Sequence, residues 1–142
     1  MRSSSQIRMN QNVEIFKNGR LEYLGKNLVV TSGQEWLAER MISNVPDVMS
    51  HMAIGSDSTA ADIADTALGT ELGRVTLASS TSAGAVVTNT ATFGAGVGTG
   101  AVVEAGTFNA GSAGVMLCRS VFPVVNKGAD DGMSITWTIT VS

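Results

Sequence analysis

The sequence has one cysteine, one histidine and few charges among its 142 residues. Cys118 alone cannot build an intrachain disulfide framework, and a lone thiol suits assembly in a reducing compartment. Cys118 and His51 together supply too few donors for a structural zinc site, which takes four. His51 is the one base open to a Ser-His-Asp arrangement, and no serine lies in a G-x-S-x-G turn. A Cys118–His51 dyad is formally open, but Cys118 in "VMLCRSVF" reads as a small buried hydrophobe. No stretch approaches 18 apolar residues, so no membrane-spanning helix is expected. The opening "MRSSSQIRMN" lacks the apolar segment of a signal peptide. These absences predict a soluble chain made in a cytoplasm, with no enzyme activity, no cofactor and no metal.

Charged residues make up 15% of the chain, where well-charged surfaces run nearer 25–35%. Net charge is −3, with a mean hydropathy of +0.20. A charge-poor surface suits partner contact, because interface cores are depleted of charge. Most of the basic residues, Arg2, Arg8, Lys17, Arg20, Lys26 and Arg40, lie before residue 47. Glu14, Glu22, Glu35 and Glu39 are interleaved with them, which reads as a mixed solvated surface and argues against nucleic-acid binding.

The length fits one domain with a sizeable core. Residues 1–10 read as a polar arm and 11–142 as the domain. "NVEIFKNGRLEYLG" places Val13, Ile15, Leu21 and Tyr23 in alternation around Asn18-Gly19, a hairpin signal. A short run "NLVVT" follows. "SGQEWLAERMISNV" predicts one short helix near residues 33–45, with Ser32 and Glu35 as a capping box, a Leu37, Met41, Val45 stripe, Trp36 as packing, and Pro46 as the stop. "SHMAIGS" reads as a strand, "ADIAD" as a single helical turn, and "RVTLAS", "AVVTNTATF", "AVVEAGTF", "VMLCRSVF" and "MSITWTITV" as strands. In the last, Met133, Ile135, Trp137, Ile139 and Val141 face one way and Ser134, Thr136, Thr138 and Thr140 the other. Short strands, glycine-rich turns and one helix predict a mainly β chain, an antiparallel β-sandwich of jelly-roll type.

Four alternating glycines, Gly94 to Gly100, raise the question of a phosphate loop. The stretch has no lysine, and Val102-Val103 after it begin a strand rather than the helix that holds a pyrophosphate. It reads as a flexible hairpin connection. Asp57, Asp62, Asp65 and Glu71 share one acidic loop that departs from the calcium-loop pattern, and "NKGADDG" reads as a turn.

Three blocks carry a resemblance. "MAIGSDSTAADIADTALGTELGR", "ATFGAGVGTGAVVEAGTF" and "MLCRSVFPVVNKGADDGMSITWTITV" resemble a module of small virion proteins of tailed bacteriophages, matched at Asp65–Glu71, Glu104–Phe108 and Asn126–Gly128. In that group the module occurs in capsid-cementing (decoration) proteins and in tail or fibre proteins. The length leaves no room for a fibre shaft or receptor-binding head, so the chain looks most like a cement. The resemblance implies a structural virion protein, made in the host cytoplasm and carried on the capsid surface. It would bind the major capsid protein and itself, as a dimer slightly ahead of a trimer. Candidate contact residues are Arg2, Gln6 and Arg8 of the arm and Thr136, Thr138 and Thr140 of the last strand. The alternative is a tail, baseplate or fibre attachment module, with a host glycan taken by the acidic loop. The scarcity of aromatics for sugar stacking counts against that alternative.

Overall fold

The computed structural model describes residues 8–142. Strands β1 (Met9–Lys17) and β2 (Arg20–Gly25) form the expected hairpin. Asn18 and Gly19 both take positive φ, 50° and 80°, which gives the two-residue turn whose twist matches its strands. Met9 and Asn10 therefore belong to β1 and not to an arm. A bulge at Ile15/Phe16 puts Leu21 opposite Phe16 instead of on the Tyr23 face. Tyr23 consequently packs on Phe122 while Leu21 is exposed, against the expected alternation.

Strand β3 (Leu28–Val29) runs straight into helix α1 (Thr31–Arg40). The helix starts earlier and stops sooner than its sequence suggests. Val30 occupies the N-cap position, and the Ser32 hydroxyl donates to the Met116 carbonyl (2.9 Å) rather than closing a capping box. Beyond Arg40 the chain folds back, because Arg40 Nη1 donates to the Pro46 carbonyl and Trp36 Nε1 to that of Asp47. Met41 and Val45, expected on the buried stripe, are exposed as a result.

The remaining strands are β4 (His51–Gly55), β5 (Glu71–Thr76), β6 (Ser79–Ala83), β7 (Val86–Phe93), β8 (Gly100–Phe108), β9 (Met116–Lys127) and β10 (Met133–Val141). "ADIAD" forms only a turn, with Asp65 N–H donating to the Asp62 carbonyl. Strand β6 had no signal in the sequence. Its five small residues lack the apolar alternation that marks a half-buried strand.

All pairing is antiparallel, in two five-stranded sheets ordered β2-β1-β10-β7-β6 and β3-β9-β8-β4-β5. The two sheets share one core. Val13, Ile15, Phe93 and Trp137 of the first sheet belong to the same cluster as Met52, Ile54, Leu117 and Phe122 of the second. Met133, Ile135, Trp137 and Ile139 of β10 are buried as their alternation predicts.

The glycine stretch is a crossover, not a hairpin. β7 lies in the first sheet and β8 in the second, so residues 94–99 carry the chain from one sheet to the other. Gly98 has φ +68° and lies against Ile54, where a Cβ would come within 2.5 Å of Cδ1. Its backbone also packs against Gly73. Glycine is needed here for space as well as conformation.

Candidate functional site

The outer faces of the two sheets differ. Over the second sheet lie α1 and the loop between β4 and β5. Gly33 of α1 presses so closely on the Leu117 backbone that no Cβ fits there. Leu68 of the loop joins Val30, Ala53, Phe108 and Met116 in a small second cluster.

Under the same loop lies a buried charge pair. Side chains two residues apart share a face of a strand, and Glu104 is paired with Val121, two positions from Arg119. Arg119 Nε–H donates to Glu104 Oε1 at 3.1 Å, and both side chains are essentially out of solvent. The Glu104 carboxylate also accepts from the backbone N–H groups of Asp57 (2.8 Å), Gly69 (3.0 Å) and Thr70 (3.0 Å). Arg119 reaches the loop through Asp65 Oδ2 (3.1 Å) and the Asp57 carbonyl (3.2 Å). The blocks 52–74, 91–108 and 116–141 thus converge on one carboxylate. Their chemistry is spent on holding the loop down.

The other acids of the loop are similarly engaged. Asp57 Oδ1 accepts from the backbone and hydroxyl of Thr59, and these bonds hold its carboxyl below the usual 3.8. Asp62 Oδ1 accepts from Ala64 N–H. Glu71 forks onto Arg74, whose guanidinium lies 3.8 Å over the Phe108 ring and donates to the Ala110 and Ala113 carbonyls. Among the described residues, no group of three or more His, Cys, Asp or Glu side chains is placed to hold a metal ion.

His51 and Cys118 do not form a dyad. His51 Nδ1 contacts Ser50 Oγ (2.8 Å) and Nε2 contacts Thr76 Oγ1 (3.3 Å). Cys118 is fully buried beside Thr107 Oγ1 (3.1 Å), and loss of solvation pushes its thiol up to about 12. A thiol so placed stays protonated and is a poor nucleophile. Asp130-Asp131 form a turn as expected. The Asp131 carboxylate accepts from Asn18 Nδ2–H (2.9 Å) and Gly128 N–H (2.8 Å), tying the first hairpin tip to the connection between β9 and β10. Lys127, buried in the same region, donates to the Gly94 carbonyl (2.7 Å) and anchors the crossover.

Among the described residues, the outer face of the first sheet carries no such cover. Pairing places Asn12, Thr138, Thr88 and Thr81 in one row and Glu14, Thr136, Thr90 and Ser79 in the next. Thr140 continues the face beside Asn10 and Val86. Thr136, Thr138 and Thr140 are half-buried, and Arg8 is exposed at the margin, its N–H bonded to the Ser142 carbonyl (2.7 Å). Arg2 and Gln6 lie outside the described residues.

Sequence reading picked the threonines and missed Glu104, Arg119 and Lys127 as organising residues. The signal was present, since Glu104 is the single charge of β8 and Arg119 and Lys127 are the two charges of the largely apolar β9, positions where charge is kept only when paired. Comparison with protein-family models, with curated proteins and with solved structures found no match.

Proposed function

We propose that the protein is a structural virion component that binds the outside of a tailed-phage capsid and clamps neighbouring major capsid subunits together. The observation that carries this reading is the convergence of the three resembling blocks on Glu104. Two of the matched segments, Asp65–Glu71 and Glu104–Phe108, lock the loop to its sheet, while Lys127 of the third holds the crossover at Gly94, and the module is then a rigid body for binding. A stretch of threonines left uncovered by the described residues, Thr136, Thr138 and Thr140 with Thr88 and Thr90, is the contact surface in this reading. Arg8 stands at its edge.

The jelly-roll assignment belongs to the same proposal. Its support is that β1 and β10, far apart in the chain, pair side by side, while hairpins β1–β2, β4–β5, β6–β7 and β8–β9 alternate between the sheets. The partners are the major capsid protein and further copies of this chain. Small clamps on a repeating shell gain by multivalency, so each contact can be weak.

The test is copy number per virion, by quantitative mass spectrometry against the major capsid protein. Copies comparable to the shell protein are expected. A handful per particle would move the protein to the tail, and none would overturn the reading.

A further inference from the structure

Sheet edges present unpaired N–H and C=O groups, and folded proteins guard them with charge, proline, bulges or a covering segment. Most of the edges here are guarded. β2 carries Arg20 and Glu22 and is bulged against β1. β5 carries Glu71 and Arg74 and meets β4 through another irregularity. β3 is two residues long and leads directly into α1.

Among the described residues, β6 has none of these devices. Ser79–Ala83 is exposed at all five positions, has only small uncharged side chains, and pairs with β7 in unbroken register. Its surroundings are equally neutral, because no charged residue occurs between Arg74 and Glu104. The strand is nonetheless held in shape, with Ser79 Oγ bonded to Thr90 Oγ1 (2.6 Å) and Ser80 Oγ donating to Asn89 Oδ1 (2.6 Å).

We infer that the β6 edge is a pairing surface for a second copy of this chain, the two β6 strands running antiparallel about a two-fold axis at Thr81. A two-fold axis at an edge makes the strands antiparallel, in keeping with every other pairing in the molecule. With Thr81 at the axis, Ser79 meets Ala83 of the partner subunit and Ser80 meets Ser82 of the partner subunit. Self-pairing is favoured because no position opposes like charges, and small side chains let the backbones approach. The row Asn12, Thr138, Thr88, Thr81 then continues across the axis, so the open face doubles without a break.

A pair of five-residue strands buries less than the roughly 1,200–2,000 Å² of a stable interface, so the dimer is concentration-dependent. The inference goes beyond the capsid reading and does not require it. Its test uses the isolated protein and no phage particle.

The experiment is sedimentation velocity of the full chain over a wide concentration range, together with cysteine crosslinking by a mild disulfide-forming oxidant such as diamide. A reversible dimer is expected, and Thr81→Cys should crosslink across the axis. Ser79→Cys should not, because it lies four strand positions from its own symmetry mate, about 13 Å away. Thr81→Lys opposes two ammonium groups and should weaken the dimer at least tenfold, at an unchanged melting temperature when both chains are dilute enough to be monomeric. A wild-type chain that stays monomeric would overturn the inference. So would Thr81→Cys crosslinking no faster than Ser79→Cys, or a dimer indifferent to Thr81→Lys.

Discussion

Arg119 donates to Glu104 across adjacent strands at 3.1 Å, and the carboxylate it meets also accepts backbone N–H groups from Asp57, Gly69 and Thr70. The pair is thereby desolvated and almost fully hydrogen-bonded. Such a pair adds little net stability over apolar neighbours, but removing Glu104 leaves Arg119 with Asp65 alone as counter-charge and takes the acceptor from three backbone N–H groups in a low dielectric.

Glu104→Ala should therefore cost about 3–5 kcal/mol, a large fraction of the roughly 5–15 kcal/mol that holds a domain folded. The double variant Glu104→Leu, Arg119→Met should recover part of that loss. Urea denaturation measures both. A Glu104→Ala cost below about 1 kcal/mol would mean that the loop is held by other contacts.

Cys118 should be silent to thiol reagents in the folded protein at neutral pH and react fully on unfolding, because its thiol is buried and raised to about 12. The unfolded thiol ionises near 9, so the native state loses stability only as pH climbs from about 9 toward 12. Timed labelling with and without denaturant tests the first claim. Rapid native labelling would return Cys118 to the list of reactive groups.

Asp131 should make the protein acid-sensitive in a defined direction. Asn18 first, and the Gly128 N–H next, hold its carboxyl below the usual 3.8, with Lys17 at 3.8 Å adding a little. A lowered folded value means that its stabilisation is complete above about pH 4 and is lost as pH falls through that lowered value. Melting temperatures between about pH 2 and 7 should fall less steeply at the acid end in Asp131→Asn. Matching curves would place the acid response elsewhere, with Asp57 the next candidate.

Thr136→Lys combined with Thr138→Lys should leave folding within about 1 kcal/mol of wild type, since both side chains lie on the outer face. In the proposed role the same variant should lose binding to purified shells at least tenfold. Undiminished capsid binding by this folded variant would move the contact surface off the first sheet.

How legible the site was depended on where its partners lie. The threonine face could be picked from β10 alone, because strict alternation assigns each side chain a face. Glu104 needed partners far away along the chain, at residues 57, 69, 70 and 119. The sequence marked it as an odd charge in an apolar run without saying what it would meet. Helix α1 was placed but mismeasured, because Ser32 found the Met116 carbonyl and Arg40 the Pro46 carbonyl, contacts that local capping rules do not contain.

The sequence by itself determined what neighbouring residues decide: a turn at Asn18-Gly19 from its demand for positive φ, a two-faced strand at 133–141 from its alternation, and mainly β structure from the spacing of turns. Tertiary structure alone decided which strands share a sheet, that Gly94–Gly100 crosses between sheets, that the acidic loop is pinned by Glu104 and Arg119, and that β6 stands at the edge of its sheet. Strand partners are chosen by backbone hydrogen bonds and burial between segments distant in sequence. A local pattern says that a strand exists and which of its faces is apolar, but its neighbour is set by whichever segment completes the core.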